Sequence, residues 1–295
     1  MADPIRTILV GTPLDESSDA VVALAGELAR GAGARVHLAH GYEPPLGFAA
    51  APELGHGLGG DAFIESERER LRSLLAAQAG RIGAEWSLED GAAHHTLPAL
   101  AEKLDASLVI VGAAGTGARR RLGSTADRVI RKAARPVLVV RGEPRTPFSR
   151  VLAPVDLSPL SAEAFGRGLG LLAAVGGDAP FPLVEALFVL DVIQRQVAPQ
   201  FTPEQVDRFA AEELDRFVAA HAGERAAGIR RKVRCGGPRE EILAEALEWG
   251  AGLVLLGTHG LGGFDRMVIG SVAADAVRES PVSVLVVPPA ERPQS

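Results

Sequence analysis

The residues best placed to do chemistry in this chain are glycines. Gly257-x-x-Gly260, nine residues, then Gly270-Ser271 lie within LVLLGTHGLGGFDRMVIGSVAADAV, Leu253 to Val277, where an apolar run gives way to a glycine-studded loop and then an alanine-rich segment. Glycine lets main-chain N–H groups come close to a ligand. Gly270 and Ser271 stand at the expected start of a helix, where unpaired N–H donors and the helix dipole favour an anion. Ser271 adds a hydroxyl, and Arg266 is the nearest cation inside the loop. The chemistry that this arrangement suits is holding a phosphate chain. A simple strand-to-helix turn would use the same glycines, and glycine content alone leaves both readings open.

Other constellations offer less. Lys occurs only at Lys103, Lys132 and Lys232, none of them preceded by Gly, so the P-loop pattern ending in Gly-Lys-Ser/Thr is absent. No G-x-S-x-G marks a nucleophile elbow. His94 and His95 are adjacent, which suits no single metal ion without further ligands, and His259 lies in the glycine loop, where main-chain donors suffice without it. The lone Cys235 can form neither an internal disulfide nor a multi-thiolate zinc site. A net charge of -6 and a pI near 5.7 argue against nucleic-acid or anionic-membrane surfaces. The apolar region LGLLAAVGGDAPFPLVEALFVL is broken by Asp178 and two prolines, so it reads as helix end, loop and strand, not a membrane span. The start MADPIRTILVG lacks a basic n-region, and with the lone cysteine it suits a reducing cytoplasm.

The elements that must position the glycine loop occur twice. ASLVIVGAAGTGARRRLGS answers to AGLVLLGTHGLGGFDRMVIGS, RPVLVV to VSVLVV, and ILVGTPLDESSDAVVAL to VLAPVDLSPLSAEAFGRGL, with Asp15 set against Asp156. The offsets of matched residues are 141 at Asp15/Asp156, 145 at Gly112/Gly257 and 147 at Val140/Val287. The boundary is expected in the turn-rich GEPRTPFS, giving domains 1–145 and 146–295. In each unit, short β-branched runs such as SLVIV and PVLVV alternate with longer Ala/Leu segments. That alternation predicts an α/β fold of tandem open, mainly parallel, doubly wound sheets, whose strands are buried on both faces. Thr202, Pro203 and Gln205 predict a capping box, with Val206, Phe209, Ala210 and Phe217 on one helix face. The matching helix of the first unit is expected around Asp61 to Gln78, after a Gly/Pro-rich loop. In such sheets ligands collect at the carboxyl ends of strands, which is where Leu253–Leu256 delivers Gly257.

The glycine spacing resembles the nucleotide-binding signature of the universal stress protein family, G-x-x-G, nine residues, then G followed by Ser or Thr. APVDLSPLSAEA also resembles that family's first-strand segment, and GTHGLGG its fourth-strand loop. The resemblance covers nearly the whole chain and implies a tandem member with two fused family domains. It further implies an adenine-nucleotide fold in which the last strands of the two units meet as a pseudo-dimer. ATP, with Mg²⁺, would lie over the second unit, with Gly257 and Gly260 at ribose and phosphates and Gly270 and Ser271 at the phosphates. Asp156 would face the adenosine, although Asp156-x-Ser158 equally suits a helix start, and Val189 would be an adenine contact or core.

The first unit departs from the pattern. Gly112-x-x-Gly115 is followed by only seven residues before Gly123-Ser124, which shortens the loop by two. Arg119, Arg120 and Arg121 either compensate electrostatically, with Asp15 and these glycines forming a second site, or this unit has become structural. Both units also lack the Asp that the family often has before strand four; Ser107 and Gly252 stand there. The function implied is an ATP-dependent stress-response regulator or protective protein acting on a protein partner, plausibly as a homodimer of the tandem chain. The alternatives are a slow ATPase or phosphotransferase using Asp265 and Arg266, and a nucleotide-free interaction module.

Overall fold

A computed structural model describes residues 4–15, 18–44, 60–113, 123–142, 148–191, 201–258 and 270–289. The N-terminal half contributes β1 (Thr7–Gly11), α1 (Ser18–Ala32), β2 (Arg35–Tyr42), α2 (Gly60–Ile82), β3 (Glu85–Asp90), α3 (Ala93–Lys103), β4 (Leu108–Gly112), α4 (Ser124–Lys132) and β5 (Val137–Val140). The C-terminal half repeats that order. It has β6 (Arg150–Val155), α5 (Pro159–Gly176), β7 (Leu183–Leu190), α6 (Pro203–His221), a 3₁₀ turn (Gly223–Gly228), β8 (Arg230–Cys235), α7 (Pro238–Glu248), β9 (Leu253–Gly257), α8 (Ser271–Glu279) and β10 (Ser283–Val287).

All ten strands form one sheet in the order β3-β2-β1-β4-β5-β10-β9-β6-β7-β8. Every pairing is parallel except that of β5 with β10, where Val139 faces Val284 and Val137 faces Val286. The last strands of the two units therefore meet as a pseudo-dimer. Because that joint alone is antiparallel, the carboxyl ends of the two sets of strands lie on opposite rims of the sheet.

Continuous apolar runs produce this architecture by filling both faces. Ile8, Val10, Leu285 and Val287 point into one core beneath α1, α2, α5 and α6, while Leu9, Val284 and Val286 point into the other, beneath α3, α4, α7 and α8. Each core draws residues from both halves, so hydrophobic burial joins the two units as well as folding each one. Alpha1 and α5 cross the joint closely: a Cβ on Gly177, at φ 55°, would lie 2.6 Å from the Gly31 carbonyl oxygen. On the other face Arg141, immediately after β5, donates from its guanidinium to the carbonyls of Val277 at 2.7 Å and Arg278 at 3.0 Å. It thereby caps the C-terminus of α8 in the opposite half, where a cation is favoured by the helix dipole.

Local signals held in most places. Thr202 accepts from the Gln205 N–H, and the Gln205 side chain accepts from the Thr202 N–H at 2.8 Å, completing the capping box of α6. Phe209, expected on its buried face, is 60% exposed instead. The buried positions are Ala210, Leu214, Phe217 and Val218, a 3.6-residue repeat that Phe209 precedes by one step of about 100°. Alpha2 extends beyond its expected bounds, and Cys235 is the final residue of β8, half-buried.

Candidate functional site

The rim of the C-terminal half gathers most of the residues singled out above. In the order β9-β6-β7, the chain turns back at the β6/β9 neighbour pair, the position where open sheets of this kind leave a crevice. Val151 pairs with Leu253 and Leu152 with Val254. Continuing that register sets Val155 beside Gly257 and Asp156 beside Thr258, yet the observed pairing stops at Leu152. Proline explains the gap. The Gly252 N–H donates to the Arg150 carbonyl at 2.9 Å, so Arg150 turns its main-chain polar groups toward β9. Alternation along the strand then aims the nitrogen of Pro154 at β9 as well, and proline has no hydrogen to donate. The hydrogen-bond ladder of the two strands therefore ends, leaving an opening in the pairing where the site is expected.

Opposite this opening stands the start of α8. The Gly270 N–H donates to the Thr258 carbonyl at 2.9 Å, clasping the two ends of the glycine loop, and Ala274 closes the first turn onto the Gly270 carbonyl at 2.9 Å. Gly270, the N-cap at φ -51° and ψ 144°, brings no side-chain cap, and the first turn holds no acidic residue. The N–H groups of Ser271, Val272 and Ala273 therefore lack an intrahelical acceptor, and Ser271 is exposed. Such an end attracts an anion.

Asp156 begins the turn from β6 into α5. Its Oδ1 accepts from the Ser158 N–H at 3.0 Å, its own N–H donates to Ser161 Oγ at 3.3 Å, and Ser158 Oγ caps α5 by accepting from Ser161 N–H at 3.1 Å. Leu157 between them is held at φ 64°, a conformation uncommon for a branched side chain. A cleft of about 440 Å³ lined by Leu157, Ser158, Pro159, Ala162, Glu163 and His221 adjoins this turn. Val189 is on the neighbouring strand near the same rim, packed against the core beneath α7 and α8. Gly260, Arg266, His259 and Asp265 lie outside the described residues.

The N-terminal half builds the equivalent rim differently. Leu14, at φ 61°, is the counterpart of Leu157, and Ile8–Leu108 pairing is the counterpart of Val151–Leu253. Both matches require an offset of 143. Asp15 therefore answers to Ser158, Ser18 to Ser161, and Pro13 stands where the other half has Asp156. Setting Asp15 against Asp156 from sequence was two residues out of register, and no insertion separates the first strands. Asp15 is exposed and its N–H donates to Ser18 Oγ at 3.1 Å. At the place of Pro154 stands Gly11, where a Cβ would meet the Leu97 side chain at 2.5 Å, and β1–β4 pairing runs on to Gly11 and Val111. Here α3 packs directly onto the end of β1. Gly112 ends β4, and Gly123 and Ser124 open α4, whose first turn carries Asp127. Gly115 and Arg119 to Arg121 lie outside the described residues.

A family model for the universal stress protein family matches residues 4–141 and again 147–288. The chain is a tandem member of that family. Among its relatives, a universal stress protein of Mycolicibacterium smegmatis is 29% identical over 311 aligned positions, covering 96% of this chain and 97% of the relative. The crystal structure of a universal stress protein from Archaeoglobus fulgidus shares the fold with a TM-score of 0.68 at 19% identity, covering 98% of this chain and all of that one. A universal stress protein solved in complex with cAMP aligns over 47% of this chain at 26% identity, with a TM-score of 0.35.

Sequence reasoning missed a buried acid in the same half. Glu185 of β7 has a side chain only 1% exposed, with Arg230 Nε 3.4 Å from its Oε2. Burial, then its hydrogen-bonded contact with Glu245 of α7 and the charge of that residue, push its carboxyl up to about 7, opposed by Arg230 and Lys232. Beside the pair, Arg234 binds Glu241 at 2.5 Å, Glu245 at 2.6 Å and Glu248 at 2.8 Å. A glutamate inside the otherwise apolar LVEALFVL was the available signal. Among the described residues, no three His, Cys, Asp or Glu side chains gather as a metal site, and no helix is long and apolar enough to cross a membrane.

Proposed function

We propose that the C-terminal half binds ATP at its carboxyl rim and that the bound nucleotide controls which surface this stress protein offers to a partner. The observation that carries the reading is the uncapped start of α8, clasped by Gly270 to the end of β9, at the rim where the β6–β9 ladder ends at Pro154. Its unpaired N–H donors suit a phosphate chain, and the rim beside them suits the base. Gly257 and Gly270 leave the backbone accessible, Ser271 adds its hydroxyl, Asp156 takes the ribose or base, and Val189 lines the adenine end. Gly260 and Arg266 complete the loop in this reading. Mg²⁺ would arrive with the phosphates and keep mostly water ligands, since it commonly needs only one or two carboxylates. The β1–β4 pairing that runs on to Gly11 and the proline in place of Asp156 favour a structural role for the N-terminal half's glycine loop. The functional units we assign are 1–145 and 146–295, in a cytoplasmic protein. A homodimer of the whole chain would need a surface other than the last strands, which already pair with each other.

The test is to denature freshly purified protein with heat, identify the released nucleotide by chromatography, and count it per chain beside Gly270→Val. One ATP per chain that the variant loses is the expected result. Release of cAMP would replace the ligand while keeping the site. No nucleotide, together with no thermal shift on adding Mg²⁺ and ATP, would overturn the proposal and leave the glycine loop as architecture.

A further inference from the structure

The seam where α3 packs on α4 and the seam where α7 packs on α8 are the same contact in the two halves, and their charges are opposite in kind. In the C-terminal half, Arg239, the second residue of α7, reaches Glu279, the ninth of α8, at 2.5 Å, and Asp275, the fifth, also faces it. In the N-terminal half the second and third residues of α3 are His94 and His95, while the fifth and ninth of α4 are Arg128 and Lys132. Arg128 Nη1 lies 3.3 Å from His94 Nε2, Lys132 Nζ lies 3.0 Å from His95 Nδ1, and the two imidazole rings are 4.2 Å apart. Where one half has an ion pair, the other gathers four nitrogen bases. A charge on either imidazole would stand beside a like charge at this range, which is unfavourable.

Burial, His95, Arg128 and Lys132 all hold the His94 imidazole below its ordinary value, in that order, and Glu43, just beyond β2, opposes them. The acid nearest along α4, Asp127, is turned to Arg131 at 3.0 Å.

We propose that this basic seam, on the rim opposite the ATP site, is a binding site for a compact phosphate-bearing anion. The anion takes the hydrogen bonds of Arg128 and Lys132, which match phosphate oxygens well. With Arg128 turned to the anion, His94 accepts a proton and turns from acceptor into donor. Binding therefore takes up a proton and tightens as pH falls through the histidine range. The inference does not rest on the ATP reading, because it uses a different half and different residues.

Pyrophosphate titrated calorimetrically into the full chain at about pH 6 and about pH 8 tests it. The double variant R128D/K132E, which copies the acids of the C-terminal seam, is expected to bind at least about tenfold more weakly, a difference of about 1.4 kcal/mol. The same loss should appear in a Gly270→Val background, where the start of α8 no longer contributes. ATP in that background distinguishes the source: tighter binding than pyrophosphate supports the phosphate tail of a larger molecule, weaker binding a free polyanion. In the unsubstituted chain the His94 imidazole resonance, assigned with H94Q, should titrate at higher pH once pyrophosphate is present. Equal affinity of the chain and R128D/K132E, no binding by either, or an unmoved His94 resonance would overturn the proposal.

Discussion

Glu185→Gln should abolish a pH dependence of stability that one carboxyl imposes on the whole chain. In the folded state Glu185 is sealed between β7 and α7 beside Glu245, and burial with that neighbour raises its carboxyl from 4.5 to about 7. Between those values the folded chain keeps a proton that the unfolded chain has released. The folded state then binds more protons than the unfolded one, and stability falls as pH rises through that window. From 4.5 to about 7, at about 1.4 kcal/mol per pH unit, the loss is on the order of 3 kcal/mol and is complete above the folded value. Glutamine is neutral throughout and its amide can donate to Glu245 as the protonated acid does. The variant should match the parent at about pH 4, below the window, and exceed it by on the order of 3 kcal/mol at about pH 8. Urea unfolding of both proteins at the two pH values measures this, and subtracting variant from parent cancels the groups they share. A difference that is the same at both pH values would refute the argument, because it would mean that Arg230 and Lys232 keep Glu185 ionised in the fold.

Pro154→Ala returns an N–H aimed at β9, so β6–β9 pairing should extend toward Gly257 and tie up the rim; ATP affinity is expected to fall about tenfold while urea stability holds or rises, as titration calorimetry and unfolding would report. Arg141→Ala removes the guanidinium from the Val277 and Arg278 carbonyls and should cost about 2 kcal/mol. Hydrogen exchange would place that loss in α8, with α4 unchanged. The Gly270→Val nucleotide assay and the pyrophosphate titration complete the set.

How much of this was legible in the sequence depended on how local the cause was. The capping box at Thr202 and the helix end, loop and strand read from Leu169 to Leu190 appeared as expected, because caps and breakers act within a few residues. The pairing of last strands followed from family resemblance. First-strand register did not follow, because Asp15 and Asp156 look alike as letters, whereas the positive φ of Leu14 and Leu157 that aligns the turns is a backbone property shared by two ordinary leucines. The consequence of Pro154 also escaped, since which neighbour a strand nitrogen faces is settled only by sheet order. His94 and His95 were read as a poor metal site; the cations that give them meaning come from a helix some thirty residues away.

The joint between β5 and β10 has one more consequence. When a protein pairs with an identical copy through such an edge, every substitution is made twice, once on each side of the symmetry axis, and neither side can change alone. Here both sides are written in one chain, so a mutation falls on one side only. The proline that ends the β6–β9 ladder has no twin at Gly11, and the bases at Arg128 and Lys132 have acids for twins. The tandem chain keeps the mutual burial of a dimer while its two rims carry different residues.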